Sequence, residues 1–405
     1  MVFFAGLDWG DREHELVIRN EQGEYSKPHK FKQNAEGLSD LDAWVVRTCG
    51  DRSGVLFFVE TKHGLLVAFL LEMGYTVYAL PSAALQRWRK PSGAKTDAID
   101  ARLLAKYGAS EWREMRPLQP DSDLVRELRR LVEDREALTK QSTRLINQIT
   151  ACLKEYYPVA LEIFHDISGV TALEFVQRWP DLPSLRRASE EELRSFLGSH
   201  HYPGATAKAD EIRALAAAPQ LMGNDVVSRV GMRKLHWLVA QLRVVKEAEV
   251  DYDEQVAALF SRFPGKEVFL SLPGVGANLA PRLAVIFGDD RERYQQAQEV
   301  QRLAGSAAVV LQSGKLCKAK MRSSCVRPFR ATMRQMAFST LRHDPESREY
   351  YRHKMEQGKS HAHALRCLAN RWIRIIFRMW KDGTTYDPAI FRQAQAEHRP
   401  RPKVA

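Results

Sequence analysis

Four carboxylates stand where a folded chain would gather them. Asp8 follows the apolar run 2–7, Glu60 follows the apolar run 55–59, and Asp97 and Asp100 lie three apart in a segment of helical pattern, so both face one side of that helix. Acids brought together at strand ends and a helix repel one another unless cations neutralise them. Hard oxygen donors in this number suit one or two Mg²⁺ ions, and two such ions about 4 Å apart are a common device for phosphodiester chemistry. Each acid alone has a plainer account: Asp97 as a charge at a helix N-terminus, Glu60 as a surface residue. Glu60 resists it, because it directly follows Val55-Leu56-Phe57-Phe58-Val59.

The elements that must position these residues alternate. Short strands are expected at 2–7, 15–19, 27–32, 55–59 and 76–80, and helices at 35–46, 64–73 and 95–107; the continuous apolar character of 55–59 marks a strand buried on both faces. This predicts a layered α/β domain over residues 1–118. Residues 119–260 read as helical. Leu124, Leu131, Leu138, Leu145 and Cys152 recur every seven residues, with Leu128 and Ile149 between them, and Leu235, Leu238, Leu242, Val245, Tyr252, Val256 and Leu259 follow three- and four-residue steps broken only at Glu249. Both are coiled-coil seams. They serve either two helices packing within one chain or a dimerisation arm, and their apolar content favours self-association. A capping box is expected at Ser189 and Glu192. Residues 261–390 form a third, mainly helical domain, and 391–405 a tail. The fold class is therefore α/β plus all-α.

The protein has 405 residues, 44% hydrophobic and 27% charged, which suits a folded multi-domain chain and excludes a disordered one. No apolar run is long enough to span a bilayer, no secretory leader is expected, and five scattered cysteines without a CxxC pair fit a reducing cytosol. The net charge of +11 is unevenly placed. Residues 261–405 carry 27 Lys and Arg against 12 Asp and Glu, whereas the first 260 carry 34 against 38. Between Val300 and His343 there are nine basic residues and no acid. A one-sign stretch with interleaved apolar residues points to a folded surface for a polyanion. Lys315, Lys318, Lys320, Arg322, Arg327, Arg330 and Arg334 are its candidates for phosphate contact. Gly274 and Gly276, in Leu272-Pro273-Gly274-Val275-Gly276, form a turn between helices whose backbone N–H groups could also approach a phosphate, or simply a turn.

These motifs together resemble the DEDD transposases of bacterial insertion sequences. The resemblance is carried by Gly6-Leu7-Asp8, Phe58-Val59-Glu60 and the more specific Lys95-Thr96-Asp97-Ala98-Ile99-Asp100-Ala101, then by Trp179-Pro180-Asp181-Leu182-Pro183, by the 272–277 turn, and by Gln312-Ser313-Gly314-Lys315 with Cys325, Arg327, Phe329 and Arg330. It covers residues 3 to 385 or so, and departs from the family where Ala308 replaces a frequent proline. It implies an RNase H-type, RuvC-like N-terminal domain holding Mg²⁺ on Asp8, Glu60, Asp97 and Asp100. It also implies a C-terminal transposase domain with a helix-hairpin-helix-like motif, in which Ser313 maps onto a nucleophilic serine. It further implies donor and target DNA as substrates, a guide (bridge) RNA, a bacterial cytoplasm and nucleoid, and an active site shared between subunits of a homodimer or tetramer. No RNA-binding motif is readable in the chain itself.

Two other readings compete. A hydrolytic, RuvC-like Holliday-junction resolvase or nuclease would use metal-activated water and leave Ser313 structural. A non-catalytic DNA-binding protein would not place four acids on a DNA-facing surface. His200-His201 as a metal pair and Tyr156-Tyr157 or Tyr350-Tyr351 as nucleophiles are weaker; a polar loop and packed aromatics account for them.

Overall fold

The structure is a computed structural model that describes residues 1–61, 64–80, 96–118, 121–313, 316–323 and 325–389. The chain divides into two compact units, 1–120 and 121–405.

In the first unit a five-stranded sheet has the order β3-β2-β1-β4-β5, with β1 Phe3–Asp8, β2 Glu13–Arg19, β3 His29–Lys32, β4 Val55–Val59 and β5 Thr76–Ala79. Strand β1 pairs antiparallel with β2 and parallel with β4, and β4 is parallel to β5. The expected strands and helices are all present within a few residues. Side chains alternate across the sheet. Ala5, Leu7, Leu16, Ile18, Phe57 and Val59 form one face and pack with helices α1 (Ala35–Cys49) and α2 (Leu65–Glu72). The opposite face carries Phe4, Leu56, Phe58 and Tyr78 and is covered by α3 (Asp97–Glu111).

Glycine permits that cover. A Cβ on Gly6 would lie 2.0 Å from the Ala101 carbonyl oxygen and 2.3 Å from the Ala105 nitrogen, and one on Gly108 would lie 2.4 Å from the Phe58 ring. Helix and strand backbones therefore touch. Gly6→Val is expected to lift α3 off the sheet and cost about 3 kcal/mol or more in chemical denaturation. Gly276→Ala, which adds its Cβ to open space, should change stability by less than about 1 kcal/mol.

Among the described residues, the regular elements of the second unit are helices and one hairpin. Helix α4 (Asp123–Tyr156) is followed by α5 (Ala160–Ile163), α6 (Val170–Arg178), α7 (Leu182–Arg187), α8 (Glu190–Ser199) and α9 (Ala205–Ala217), then by α10 (Asp225–Ser261). The Ser189–Glu192 capping box opens α8 as expected. The two long helices pack antiparallel on each other along the heptad seams. At one end Ile149, Cys152 and Tyr156 join Leu235, Leu238 and Leu242 in a core completed by α5 to α9. At the other, Val125, Leu128 and Val132 join Val256 and Phe260 in a core completed by the C-terminal helices. Between these cores the contact is polar: Arg135 donates to both carboxylate oxygens of Asp253 at 2.9 Å and to Glu249 at 2.9 Å. The seam residues are thus buried or half-buried inside one chain. Their apolar content is therefore covered within the chain and does not by itself call for self-association.

The C-terminal part continues with α11 (Lys266–Leu270), α12 (Leu279–Phe287), α13 (Ala297–Leu303), the hairpin β6 (Ala308–Ser313) and β7 (Leu316–Met321), then α14 (Arg327–His343), α15 (Pro345–Glu356) and α16 (His361–Asp382). Helix α16 buries Leu368, Trp372, Ile376 and Trp380 and leaves Arg374 and Arg378 exposed. Both indoles are satisfied, Trp372 by Ser347 Oγ at 3.0 Å and Trp380 by the Gly288 carbonyl at 2.8 Å. Ala308 opens β6 opposite Met321 in a regular ladder.

Candidate functional site

The carboxylates are assembled by strand parity. Asp8 is two residues beyond Gly6 and Glu60 two beyond Phe58, so both lie on the face that α3 covers. Leu7 pairs with Val59, which puts Asp8 and Glu60 at neighbouring ends of adjacent parallel strands, about 4.8 Å apart in the backbone. On the other side of β1, Asp8 pairs with Glu15. Three acids on β4, β1 and β2 therefore form a row across one end of one sheet face. No local sequence pattern marks Glu15, because its place in the row depends on a cross-strand pairing. It is 6% exposed, and its near cation is Lys30 Nζ at 3.9 Å.

Helix α3 brings two more acids to this end. Trp112, just past its C-terminus, packs on Phe4 at 6.4 Å, while Ala101 and Ala105 lie over Gly6. The helix therefore runs antiparallel to β1, and its N-terminus points to the end where Asp8 sits. Thr96 caps it, its Oγ1 accepting from the Ile99 N–H at 3.3 Å. Asp97 is the first helical residue and exposed, whereas Asp100 is buried at 5% exposure. Both acids lie in the first turn of the helix, at the positive end of its dipole. The donor set is all hard oxygen, which fits Mg²⁺ rather than a soft metal. Among the described residues, however, no three His, Cys, Asp or Glu side chains are gathered closely enough to hold a metal ion. The backbone supplies the positions, and the side chains are not closed around a common point.

The second set of candidates lies in the other compact unit. Ser313 ends β6 and pairs across the hairpin with Leu316. Gly314 and Lys315 lie outside the described residues, as do the side chains of Ser313 and Lys318. Of the remaining basic candidates, Lys320, Arg327 and Arg334 are exposed. Arg322 and Arg330 are half-buried, and Arg330 Nη2 donates to the Arg322 carbonyl. Arg330 thereby fastens the exit of the hairpin to the start of α14, a use within the chain that its charge alone did not reveal. Gly274 adopts φ +71°, and a Cβ there would meet His343 and Ser339 of α14, so close helix packing accounts for that glycine. Gly276 faces open space, and its carbonyl accepts from the first N–H groups of α12.

The other candidates resolve as packing. Tyr156 and Tyr157 are buried, and burial pushes both phenols up. His200 does have a carboxylate partner that sequence spacing hid: its Nε2 lies 2.8 Å from Glu174 Oε2. The Phe196 carbonyl and then Glu174 raise its pKa, as befits a surface ion pair rather than a metal ligand. No helix among the described residues is long and apolar enough to cross a membrane.

Comparison with known proteins finds two family matches along the chain. Residues 5–158 match the DEDD transposase model of IS110-type elements, and residues 266–352 match the transposase model of the IS116/IS110/IS902 family. The two matches cover more than half of the chain. A Streptomyces coelicolor protein bearing the name "Mini-circle putative transposase for IS117" is 28% identical over 92% of each chain. The 42 kDa protein of insertion element IS900 from Mycobacterium paratuberculosis is 25% identical over 95% of this chain and 97% of that one. A 44.8 kDa protein of IS116 from Streptomyces clavuligerus is 27% identical over 95% and 96%. With its acids in the first match and its serine hairpin in the second, this chain belongs to the DEDD transposases of the IS110/IS116/IS902 insertion-element family.

Proposed function

We propose that this transposase cuts and rejoins DNA strands through a covalent serine–DNA intermediate, with Mg²⁺ held by Asp8, Glu60, Asp97 and Asp100. The observation that carries the reading is the row Glu60–Asp8–Glu15 on one sheet face, with the acidic N-terminal turn of α3 directed to the same end. The strand order β3-β2-β1-β4-β5, with β1 and β4 central and parallel, supports an RNase H-type, RuvC-like domain. Bound Mg²⁺ would polarise the scissile phosphate and lower the pKa of an attacking hydroxyl.

The chain's own residues do the rest. Ser313 Oγ attacks phosphorus; an Oγ–P bond forms and one P–O bond of the strand breaks. The serine proton passes to a carboxylate or to water, and the released strand oxygen takes up a proton. In the reverse sense, a strand hydroxyl attacks the serine ester and Oγ leaves. The phosphodiester energy is conserved, so no ATP is required. Lys320, Arg327 and Arg334 would hold the backbone of donor and target DNA, each as a charge-assisted contact. A site shared between subunits of a homodimer or tetramer rests on the family resemblance. Guidance by an RNA of the element rests on the family resemblance.

The test is denaturing electrophoresis of labelled DNA incubated with the protein in Mg²⁺. A protein–DNA adduct that survives denaturation is expected. Cutting without an adduct would replace this reading by metal-dependent hydrolysis, as in a junction resolvase. The basic surface has its own check. Changing Lys320, Arg327 and Arg334 together to Gln should lower the slope of log affinity against log salt on duplex DNA by about 3, at roughly 0.9 per phosphate contact. An unchanged slope would place these residues away from DNA.

A further inference from the structure

Helix α10 has a second, outward seam. Val226, Val230, Arg233, Trp237, Ala240 and Val244 recur at alternating four- and three-residue steps and are all exposed, Trp237 by 58%. This strip lies away from the seam that faces α4. From 226 to 246 the helix contains no acid and five Lys or Arg. Arg229, Arg233 and Lys234 are exposed and have no ion-pair partner among the described residues, whereas Arg135 on the inner side is held by two carboxylates. Beside the strip a cavity of about 350 Å³ opens between α10 and α6. Val176, Pro180 and Met232 give it apolar walls, and Gln177, Arg233 and His236 add polar groups.

An exposed tryptophan among unpaired cations has two candidate occupants. A second copy of the helix is disfavoured by charge, since residues 226–246 would bring cations against cations with no acid to answer them. A polyanion answers them all. A duplex cannot use the indole or the cavity, because its bases are stacked inside; an unpaired strand can lay a base on the indole face and its phosphates along the arginines. We propose that this face binds an unpaired DNA strand, with one base stacked on Trp237, a neighbouring base in the cavity against Gln177 and His236, and phosphates on Arg229, Arg233 and Lys234. The choice of DNA rests on the proposed strand-transfer reaction, which exposes unpaired nucleotides.

The experiment uses the full chain and no cleavage step, so it fails independently of the serine chemistry. Anisotropy is measured with a labelled twelve-nucleotide oligo-dT, the oligo-U of equal length and a duplex. Trp237→Ala should weaken oligo-dT binding by roughly five- to a hundredfold, leave duplex binding unchanged and melt like the wild type. Trp237→Phe should retain most of the affinity. The triple change of Arg229, Arg233 and Lys234 to Gln should lower the single-strand salt slope by about 2. The proposal is overturned if Trp237→Ala binds oligo-dT as wild type does, if only oligo-U responds to the change, or if the change alters sedimentation mass instead of DNA affinity, which would make the strip an interface between copies. Loss of the covalent adduct with oligo-dT binding intact would sink the serine reading alone.

Discussion

Glu60→Ala protein should bind DNA and leave it uncut. Glu60 ends a strand buried on both faces, next to Asp8 on the same side of the sheet. On the proposed reading, removing its carboxylate would deprive a divalent cation of a ligand without touching the apolar core beneath. Metal stabilisation of a phosphoryl transition state is worth several kcal/mol, so cleavage in Mg²⁺ should fall at least about a thousandfold. Asp8→Ala should behave alike. Folding should survive, because neither acid lies in the hydrophobic clusters of the unit. Without divalent metal the variants should melt at the same temperature as the wild type or higher, since one charge leaves a row of three acids. Cleavage assays and thermal melts with and without Mg²⁺ check both halves. Normal cutting by Glu60→Ala would end the metal-site assignment.

Ser313→Ala should abolish the covalent adduct and strand transfer while DNA binding is retained. One hydroxyl contributes at most about 1 kcal/mol to holding DNA, but without it no Oγ–P bond can form. A serine hydroxyl is a poor nucleophile at neutral pH and needs help to lose its proton. The chain offers no acid from Val300 to His343, so the help must come through space, and the carboxylate-bound Mg²⁺ is the proposed source. Ser313→Cys should keep at most a trace of activity, because a thiolate is a soft partner for that ion. Denaturing gels of wild type and Ser313→Ala with labelled DNA decide the matter. An adduct formed by Ser313→Ala would transfer the role to another residue. If both proteins cut and neither forms an adduct, Ser313 is structural.

The local elements and four of the five acids at the sheet end were readable from residue order. Alternation and apolar runs place strand ends at Asp8 and Glu60, and the Thr96 cap with Asp97 and Asp100 marks a helix start, because these signals act over a few residues. Family resemblance supplied the candidate serine, and charge counting supplied the basic segment. What sequence could not supply was pairing. Glu15 joins the row only because β2 folds back on β1 in one register. Gly6 matters only because α3 crosses it. The bond by which Arg330 fastens the hairpin exists only because the fold brings the Arg322 carbonyl beside it.

The heptad seams show the same division. Their spacing determined that two long helices would each bury a stripe, since a seven-residue repeat keeps one face aligned along the helix. It did not determine the partner, because an apolar stripe is equally satisfied by its own chain or by another. The tertiary structure decided that: the two cores at either end, and Arg135 held between Asp253 and Glu249, close the stripes on each other. The outward seam of α10 became visible only then, because which side of a helix faces solvent depends on what covers the other side.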